Sequence, residues 1–161
     1  MSHLIATFFY VGHMRPAPGT WGSLAALPFA WVIITFTGFW GLLAFSIITF
    51  WVGLWATRED TRGKDDHDPS EIVIDEVAGQ WIALLPVAYG ANMMNVDVLA
   101  LWPGWIAAFA LFRLFDITKP SLVGWADRRD DAMGVMLDDV IAGIFAAISV
   151  IVMAGAAHWF M

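Results

Sequence analysis

The sequence contains no cysteine, and only 14% of its residues are charged. The absence of cysteine excludes disulfide bonds, a thiolate nucleophile and a zinc–thiolate centre. Residues 1–12 lack both the basic region and the cleavage site of a secretory signal peptide. We therefore expect them to remain in the mature protein.

Hydrophobic side chains, by contrast, are abundant. They make up 60% of the 161 residues, with 10 Trp and 12 Phe among them, and the mean hydropathy is +0.69. These values lie far above those of soluble domains, which indicates an integral membrane protein. The length favours one membrane-embedded domain over residues 1–161.

Apolar runs divide the chain into helix-length segments. We predict an all-α fold, a polytopic transmembrane bundle of about five spans with short interfacial or re-entrant helical pieces. Gly38 to Gly41 predicts a tight turn, Pro28 a kink, and Pro86 a bend or a helix end before a polar loop at 90–97. The predicted spans are Thr20–Thr37, Leu42–Thr57, Ile72–Tyr89, Val98–Phe115 and Met133–Trp159.

The charged residues sort to one side of this five-span topology. All 8 Lys and Arg fall on that side, and so does every acidic residue except Asp97. The positive-inside rule makes this side cytoplasmic, with the N-terminus inside and the C-terminus outside. The pattern predicts a multi-pass membrane protein whose charged end lies in the cytoplasm.

Two pairs of adjacent carboxylates interrupt apolar segments. Asp75-Glu76 lies in the run from Ile72 to Gly79, and Asp138-Asp139 begins a similar run that ends at Gly143. Isolated carboxylates in an apolar setting are costly unless they are paired, hydrogen-bonded or bound to a cation. The repeated pattern therefore suggests a shared divalent cation. Gly79 and Gly143 are interpreted as packing contacts.

Basic residues and a helix start are expected on the same side. Arg113, Asp116 and Lys119 are spaced by three, so a continuing helix would place them on one face. A simple ion pair between Arg113 and Asp116 is the structural alternative. Residues 16–23 open the first span and can present free backbone N–H groups to an anion, with Thr20 or Ser23 as a cap.

Carboxylates serve a phosphate substrate only through a cation, and oxygen ligands favour Mg²⁺, Ca²⁺ or Mn²⁺. The residues therefore suggest metal-assisted chemistry on a lipid phosphate at the inner-leaflet surface. A cation or proton transporter is the main alternative, because intramembrane carboxylates also mark ion pathways. A non-catalytic lipid-binding protein is a third.

Four blocks of the sequence resemble, in the same order, those of bacterial phosphatidylglycerophosphatase A. The resemblance covers about residues 8–155. The chain departs from the family after Lys119-Pro120, where Ser121 to Val123 stands in place of the usual x-Pro-Ile. The missing proline bears on the conformation of the following turn more than on the chemistry. The blocks are Pro18–Ala26, Ile72–Gly79, Phe112–Pro120 and Met133–Gly143.

The resemblance implies a Mg²⁺-dependent inner-membrane phosphatase with helices packed around a central one. It would convert phosphatidylglycerophosphate to phosphatidylglycerol and phosphate, in phospholipid biosynthesis. Membrane lipids are the expected partners, with no nucleic acid and no obligatory protein partner. The sequence also lacks the Asp-x-Asp-x-Thr pattern of aspartyl-phosphate phosphatases and the motifs of membrane histidine phosphatases.

The predicted site residues fall into three roles. Five acidic residues would bind one or two Mg²⁺ ions. Arg113 and Lys119 would hold phosphate oxygens, and Thr20 and Ser23 would complete the anion site. A carboxylate or His67 would act as the base, and both direct water attack and a phospho-aspartate intermediate remain open. The predicted metal ligands are Asp75, Glu76, Asp116, Asp138 and Asp139; the predicted catalytic residues are Asp75, Glu76, Asp116, Asp139 and His67.

Overall fold

The computed structural model describes residues 1–64, 69–129 and 131–160, and no strand occurs among them. The prediction of an all-α fold is confirmed. In these ranges, two short 3₁₀ helices, Val11–His13 and Val98–Leu101, accompany six α-helices. These are α1 (Ser2–Ala6), α2 (Pro18–Asp60), α3 (Ile74–Met94), α4 (Trp102–Thr118), α5 (Leu122–Asp127) and α6 (Ala132–Phe160).

The long helix α2 reverses direction at Gly38. This glycine has φ +64° and ψ −158°, which interrupts the helical backbone. A Cβ at Gly22 would lie 2.8 Å from Cβ of Val73, and one at Gly53 would lie 3.2 Å from Cγ1 of Ile74. In a straight helix Gly22 and Gly53 would be about 45 Å apart. Arms 18–37 and 39–60 therefore run antiparallel, as the predicted turn requires.

The first helix begins earlier than its sequence suggests. Pro18 occupies the first position of α2, where its fixed φ and missing N–H are tolerated. The residue before it, Ala17, makes no side-chain capping bond. Thr20 and Ser23 lie inside the helix, so the prediction that one of them caps it was wrong.

Internal prolines do not end the helices. α2 keeps helical angles at Pro28, and its interruption lies at Gly38 instead. α3 continues past Pro86 to Met94, so the predicted end near Pro86 and the predicted loop from 90 were wrong. Leu84, Val87 and Ala88 are buried on either side of Pro86. Packing against neighbouring helices therefore offsets the hydrogen bond that proline cannot make.

α3 is the central helix of the fold. It packs against α2, α4 and α6, and its buried residues include Val77, Ala78, Trp81 and Leu84. The outer helices, in contrast, expose large apolar side chains such as Phe36, Trp51 and Ile148. An apolar exterior of this kind is typical of a protein that faces lipid.

Within the described part of the chain, three helical segments are long and apolar enough to cross a membrane: Pro18–Asp60, Val98–Thr118 and Ala132–Ala157. α3 is not one of them, because its acidic pair and polar residues such as Gln80 and Asn92 lower its hydropathy. The coarse prediction of a helical membrane protein therefore holds, whereas the count of about five spans is not confirmed.

Candidate metal centre

Five carboxylates from three helices meet at one end of the bundle. α3 supplies Asp75 and Glu76, α4 supplies Asp116, and α6 supplies Asp138 and Asp139. They form two overlapping groups, in each of which one oxygen per residue lies within 4.8 Å of the others. The groups are Asp75, Glu76, Asp139 and Asp116, Asp138, Asp139. Asp139 belongs to both, so it is the centre of the cluster.

Close helix packing brings the two acidic pairs together. A Cβ at Gly79 would lie 2.6 Å from the carbonyl oxygen of Asp139 and 2.5 Å from Cε2 of Phe112. Because Gly79 has no side chain, α3 can approach both α4 and α6 at this point. Asp75 and Glu76 stand in the first turn of α3, where the helix dipole favours negative charge.

Burial makes the cluster electrostatically demanding. Asp75 is 7% exposed, Asp138 6% and Asp139 3%. Oε2 of Glu76 and Oδ1 of Asp139 are buried, and neither has a hydrogen-bond partner among the described residues. Buried anionic oxygens are stable only when a cation or a donor compensates them. The donor set therefore fits an oxygen-preferring metal ion.

Arg113 lies beside this cluster. Its Nη1 is 2.7 Å from Oδ2 of Asp116 and 4.0 Å from Oε1 of Glu76, and it donates to Oγ of Ser23 at 3.4 Å. The Nε–H of Arg113 is buried without an acceptor in the described part of the chain. This donor is therefore available to an anion, in addition to the ion pair with Asp116.

Lys119 reaches the cluster from another direction. α4 ends at Thr118 and Lys119 takes a left-handed conformation, so the prediction that it continues the helical face of Arg113 and Asp116 was wrong. Its Nζ lies 2.7 Å from Asp138 and 2.5 Å from Asp127. Partial burial disfavours the charge, but the hydrogen bonds to these two carboxylates raise the pKa of Lys119 above its usual value.

Asp127 is a further residue beside the cluster, and no motif in the sequence indicates it. Asp127 ends the short helix α5, and its carboxylate holds Lys119 opposite Asp138. No spacing in the sequence indicates this contact, because it depends on the left-handed turn at Lys119 and on the course of residues 120–127.

The start of α2 closes a further side of the site. A Cβ at Gly19 would lie 2.0 Å from Oε1 of Glu76, and Oγ of Ser23 donates to the carbonyl of Gly19 at 2.8 Å. Thr20 stands in the same first turn, with no side-chain hydrogen bond to a described residue. His67 lies outside the described residues.

The fold and the site together define a helical membrane protein. At one end it has an acidic cluster that could hold a metal ion, with two cationic side chains beside it. The sequence profile of the family described as Phosphatidylglycerophosphatase A matches residues 4–154. The chain belongs to this family, and as a member it is an enzyme of the phosphatase class.

Curated relatives agree with the family assignment. A phosphatidylglycerophosphatase A of Haemophilus influenzae is 37% identical over 92% of this chain and 85% of its own length. The protein of that name from Escherichia coli K12 is 35% identical over 90% and 78%. A Bacteroides thetaiotaomicron protein, provisionally named phosphatidylinositol-3-phosphatase, is 38% identical over 92% and 91%. No solved structure matches the chain.

Proposed function

We propose that this chain is a Mg²⁺-dependent lipid phosphatase that hydrolyses phosphatidylglycerophosphate to phosphatidylglycerol and inorganic phosphate. Family membership supports the substrate. The main observation in support of the site is that two clusters of three carboxylates share Asp139. Arg113 and Lys119 lie next to them. Carboxylates alone repel a phosphate ester. Their convergence beside two cationic side chains is best explained by a metal ion that binds the carboxylates and the phosphate at the same time.

The proposed ligands are the five carboxylates of the cluster. Hard oxygen donors favour Mg²⁺ over softer metals, and Mg²⁺ sites usually combine protein carboxylates with phosphate oxygens and water. When bound, Mg²⁺ would supply positive charge for the phosphoryl oxygens and would acidify water. The ligands are Asp75, Glu76, Asp116, Asp138 and Asp139.

The cationic side chains bind and orient the phosphate. The free Nε–H of Arg113 donates to one phosphate oxygen. Lys119 stays charged at neutral pH, since two carboxylates offset its partial burial. Ser23, Thr20 and the first backbone N–H groups of α2 lie beside Arg113 and Glu76 and add neutral donors. Positioning of this kind accounts for much of the catalysis in phosphoryl transfer.

Hydrolysis breaks the bond between phosphorus and the glycerol oxygen, and that oxygen leaves with a proton. A water oxygen becomes the fourth oxygen of the released phosphate, either directly or through an aspartyl phosphate. A cluster carboxylate or His67 accepts the proton of the attacking water. Both routes need a base close to the bound phosphate, and a carboxylate of the cluster can serve as that base.

The location follows from the distribution of charge. We propose that both arms of α2 cross the bilayer together with α3, α4 and α6, in one domain of five spans. All Lys and Arg residues then lie at the end that holds the carboxylate cluster, which the positive-inside rule makes cytoplasmic. The site would meet the headgroups of the inner leaflet of a bacterial inner membrane.

Phosphate release from phosphatidylglycerophosphate by the detergent-purified protein tests the proposal. Activity should require Mg²⁺, should disappear with chelator, and should fall by about 100-fold or more in Asp139→Asn. Asp97→Asn is the matched control, because Asp97 lies at the opposite end, where it caps the turn at Leu99, and it should retain activity. Equal activity in Asp139→Asn and the wild type would reject the proposed site.

The Bacteroides relative suggests a second substrate class, a phosphate monoester on inositol. Phosphatidylinositol 3-phosphate should therefore be assayed beside phosphatidylglycerophosphate, with the ratio of the kcat/KM values as the readout. The transporter alternative is not favoured, because the carboxylates gather at one end of the bundle beside Arg113 and Lys119. Ion flux in proteoliposomes without phosphate release would revive it.

A further inference from the structure

A second group of metal-binding side chains lies outside the carboxylate cluster, in the N-terminal segment. Nε2 of His3 in α1 is 3.1 Å from Nε2 of His13 in the first 3₁₀ helix. On its other side, Nδ1 of His3 is 3.1 Å from Oδ1 of Asp60, the last residue of α2. The side chain of Asp60 is only 8% exposed, whereas that of His3 is 40% exposed.

The carboxylate determines the form of His3 that can bind a ligand. A carboxylate accepts hydrogen bonds, so in the neutral ring Nδ1 of His3 carries the proton and Nε2 keeps its lone pair. That lone pair points toward His13. A carboxylate behind the distal nitrogen of a histidine is the usual support of a metal-bound imidazole, because it fixes the ring and increases its basicity.

The distance between the two imidazoles suits a shared ion. Nitrogens that are each about 2.0–2.1 Å from one ion, at angles between about 90° and 109°, are about 2.8–3.4 Å apart. The observed 3.1 Å lies in this range, and the ring centroids are 5.3 Å apart. A hydrogen bond between the rings fits the same distance, so the experiment must separate the two.

An unusual backbone turn brings His13 back to His3. Phe8, Phe9 and Tyr10 have φ values of +44°, +57° and +68° in succession, a region that non-glycine residues seldom adopt. The Tyr10 ring then stacks on His13 at 5.7 Å with an interplanar angle of 25°. Left-handed conformations of this kind persist where surrounding contacts enforce them, and they concentrate at functional positions.

We propose that His3 and His13 bind one divalent transition-metal ion, such as Zn²⁺, Ni²⁺ or Cu²⁺, with Asp60 orienting His3. Imidazole nitrogens favour these metals, whereas the all-oxygen carboxylate cluster favours Mg²⁺. Water would complete the coordination, since His13 is exposed. The ion would join the N-terminal segment to the cytoplasmic end of α2, and it is not required for the proposed hydrolysis.

Copper binding to the tag-free, detergent-purified protein tests the proposal directly. With the N-terminal amine acetylated, so that Met1-Ser2-His3 cannot chelate the ion through the main chain, and with Mg²⁺ present in excess, one equivalent of Cu²⁺ should give an electron paramagnetic resonance spectrum with hyperfine splitting from two nitrogens. A spectrum with one nitrogen or none would overturn the proposal, and would leave only a hydrogen bond between the two rings. This readout uses the wild-type protein and so does not depend on the folding of a variant.

Variants give the second readout, measured as Zn²⁺ affinity by titration calorimetry with Mg²⁺ in excess. His13 is exposed, and His13→Gln should weaken binding by about 10- to 100-fold, as should Asp60→Asn through its loss of support for His3. His158→Gln is the control and should bind as the wild type does. Asp139→Asn should also bind Zn²⁺ normally, which separates this site from the carboxylate cluster. Unchanged affinity in His13→Gln would contradict the proposal.

Discussion

Gly143 of α6 lies directly against the main chain of Gly79 in α3, and a Cβ at Gly143 would be 2.4 Å from the carbonyl oxygen of Gly79. Each glycine stands about one helical turn beyond an acidic pair. The closest approach of the two helices therefore sets the distance between the pair on α3 and the pair on α6. Packing and the geometry of the carboxylate cluster depend on the same contact.

Replacing Gly143 with alanine should therefore damage both stability and activity. The added methyl group meets backbone rather than a flexible side chain, so α3 and α6 must separate. Overpacking of this kind typically costs about 1–3 kcal/mol, and a displacement of about 1 Å at a catalytic group can lower the rate about 100-fold. Thermal unfolding and phosphate release measure the two effects.

Gly155→Ala is the control for this variant. It lies in the same helix, and a Cβ there would meet no atom within 4 Å. Its activity should equal that of the wild type. If Gly143→Ala were as active as Gly155→Ala, the helix contact would not determine the catalytic geometry.

Gly19→Ala should separate activity from stability. The new Cβ would lie 2.0 Å from Oε1 of Glu76, the end of a flexible side chain that can rotate away at little cost. We expect near-normal thermal unfolding, with kcat lower by about 10- to 100-fold because Glu76 leaves the cluster. Gly90→Ala, whose Cβ would make an ordinary 3.4 Å contact with Leu101, should leave kcat unchanged. Normal kcat in Gly19→Ala would exclude a role for Glu76 in the reaction.

Lys119 and Asp127 should show a graded response. Lys119→Met removes a cation from between Asp127 and Asp138 and should lower kcat/KM by about 100-fold, as for other lost phosphate ligands. Asp127→Asn keeps the lysine but loosens its position, so we expect a loss of about tenfold or less. Steady-state kinetics of both variants measure the gradient. A larger loss in Asp127→Asn than in Lys119→Met would contradict the assigned roles.

The start of α6 should depend on the charge of Asp131. Oδ1 of Asp131 accepts from the backbone N–H of Gly134 at 2.7 Å. The hydrogen bond from Arg129 outweighs slight burial and holds the pKa of Asp131 below its usual range. A carboxyl group with a lowered folded-state pKa stabilises the fold above its unfolded pKa, and this contribution disappears as the pH falls through the folded value.

Asp131→Ala should accordingly lower the stability at pH 7 by about 1 kcal/mol, which is typical for the loss of a helix cap. The difference from the wild type should shrink only below about pH 4, where the free carboxyl group protonates. Unfolding monitored by tryptophan fluorescence at several pH values gives the comparison. A difference that stays constant to the lowest pH would show that the charge of Asp131 does not matter.

The sequence was most informative where a residue type permits few alternatives. Gly38, at the predicted turn, is the residue whose positive φ reverses α2. The two acidic pairs could be recognised because carboxylates are unusual in apolar runs, and the structure brings them together with Asp116. Both signals are local in the chain and have a strong physical cause.

Features that depend on tertiary contacts could not be predicted in this way. α3 passes Pro86 because neighbouring helices cover that segment, which a proline rule cannot anticipate. The left-handed conformation at Lys119 ends α4 and sends the lysine to Asp127 and Asp138. A non-glycine residue in that conformation has no reliable sequence signal, so the spacing of three from Asp116 was misleading.

Direct measurement of metal binding tests the central claim, that carboxylates from α3, α4 and α6 hold one shared cation. Mn²⁺, followed by electron paramagnetic resonance, serves as a probe that Mg²⁺ should displace. The wild type and Asp97→Asn should bind Mn²⁺ equally, and Asp139→Asn, which lacks the carboxylate common to both groups, should bind it about 100-fold more weakly. Equal Mn²⁺ affinity in Asp139→Asn and the wild type would contradict the account.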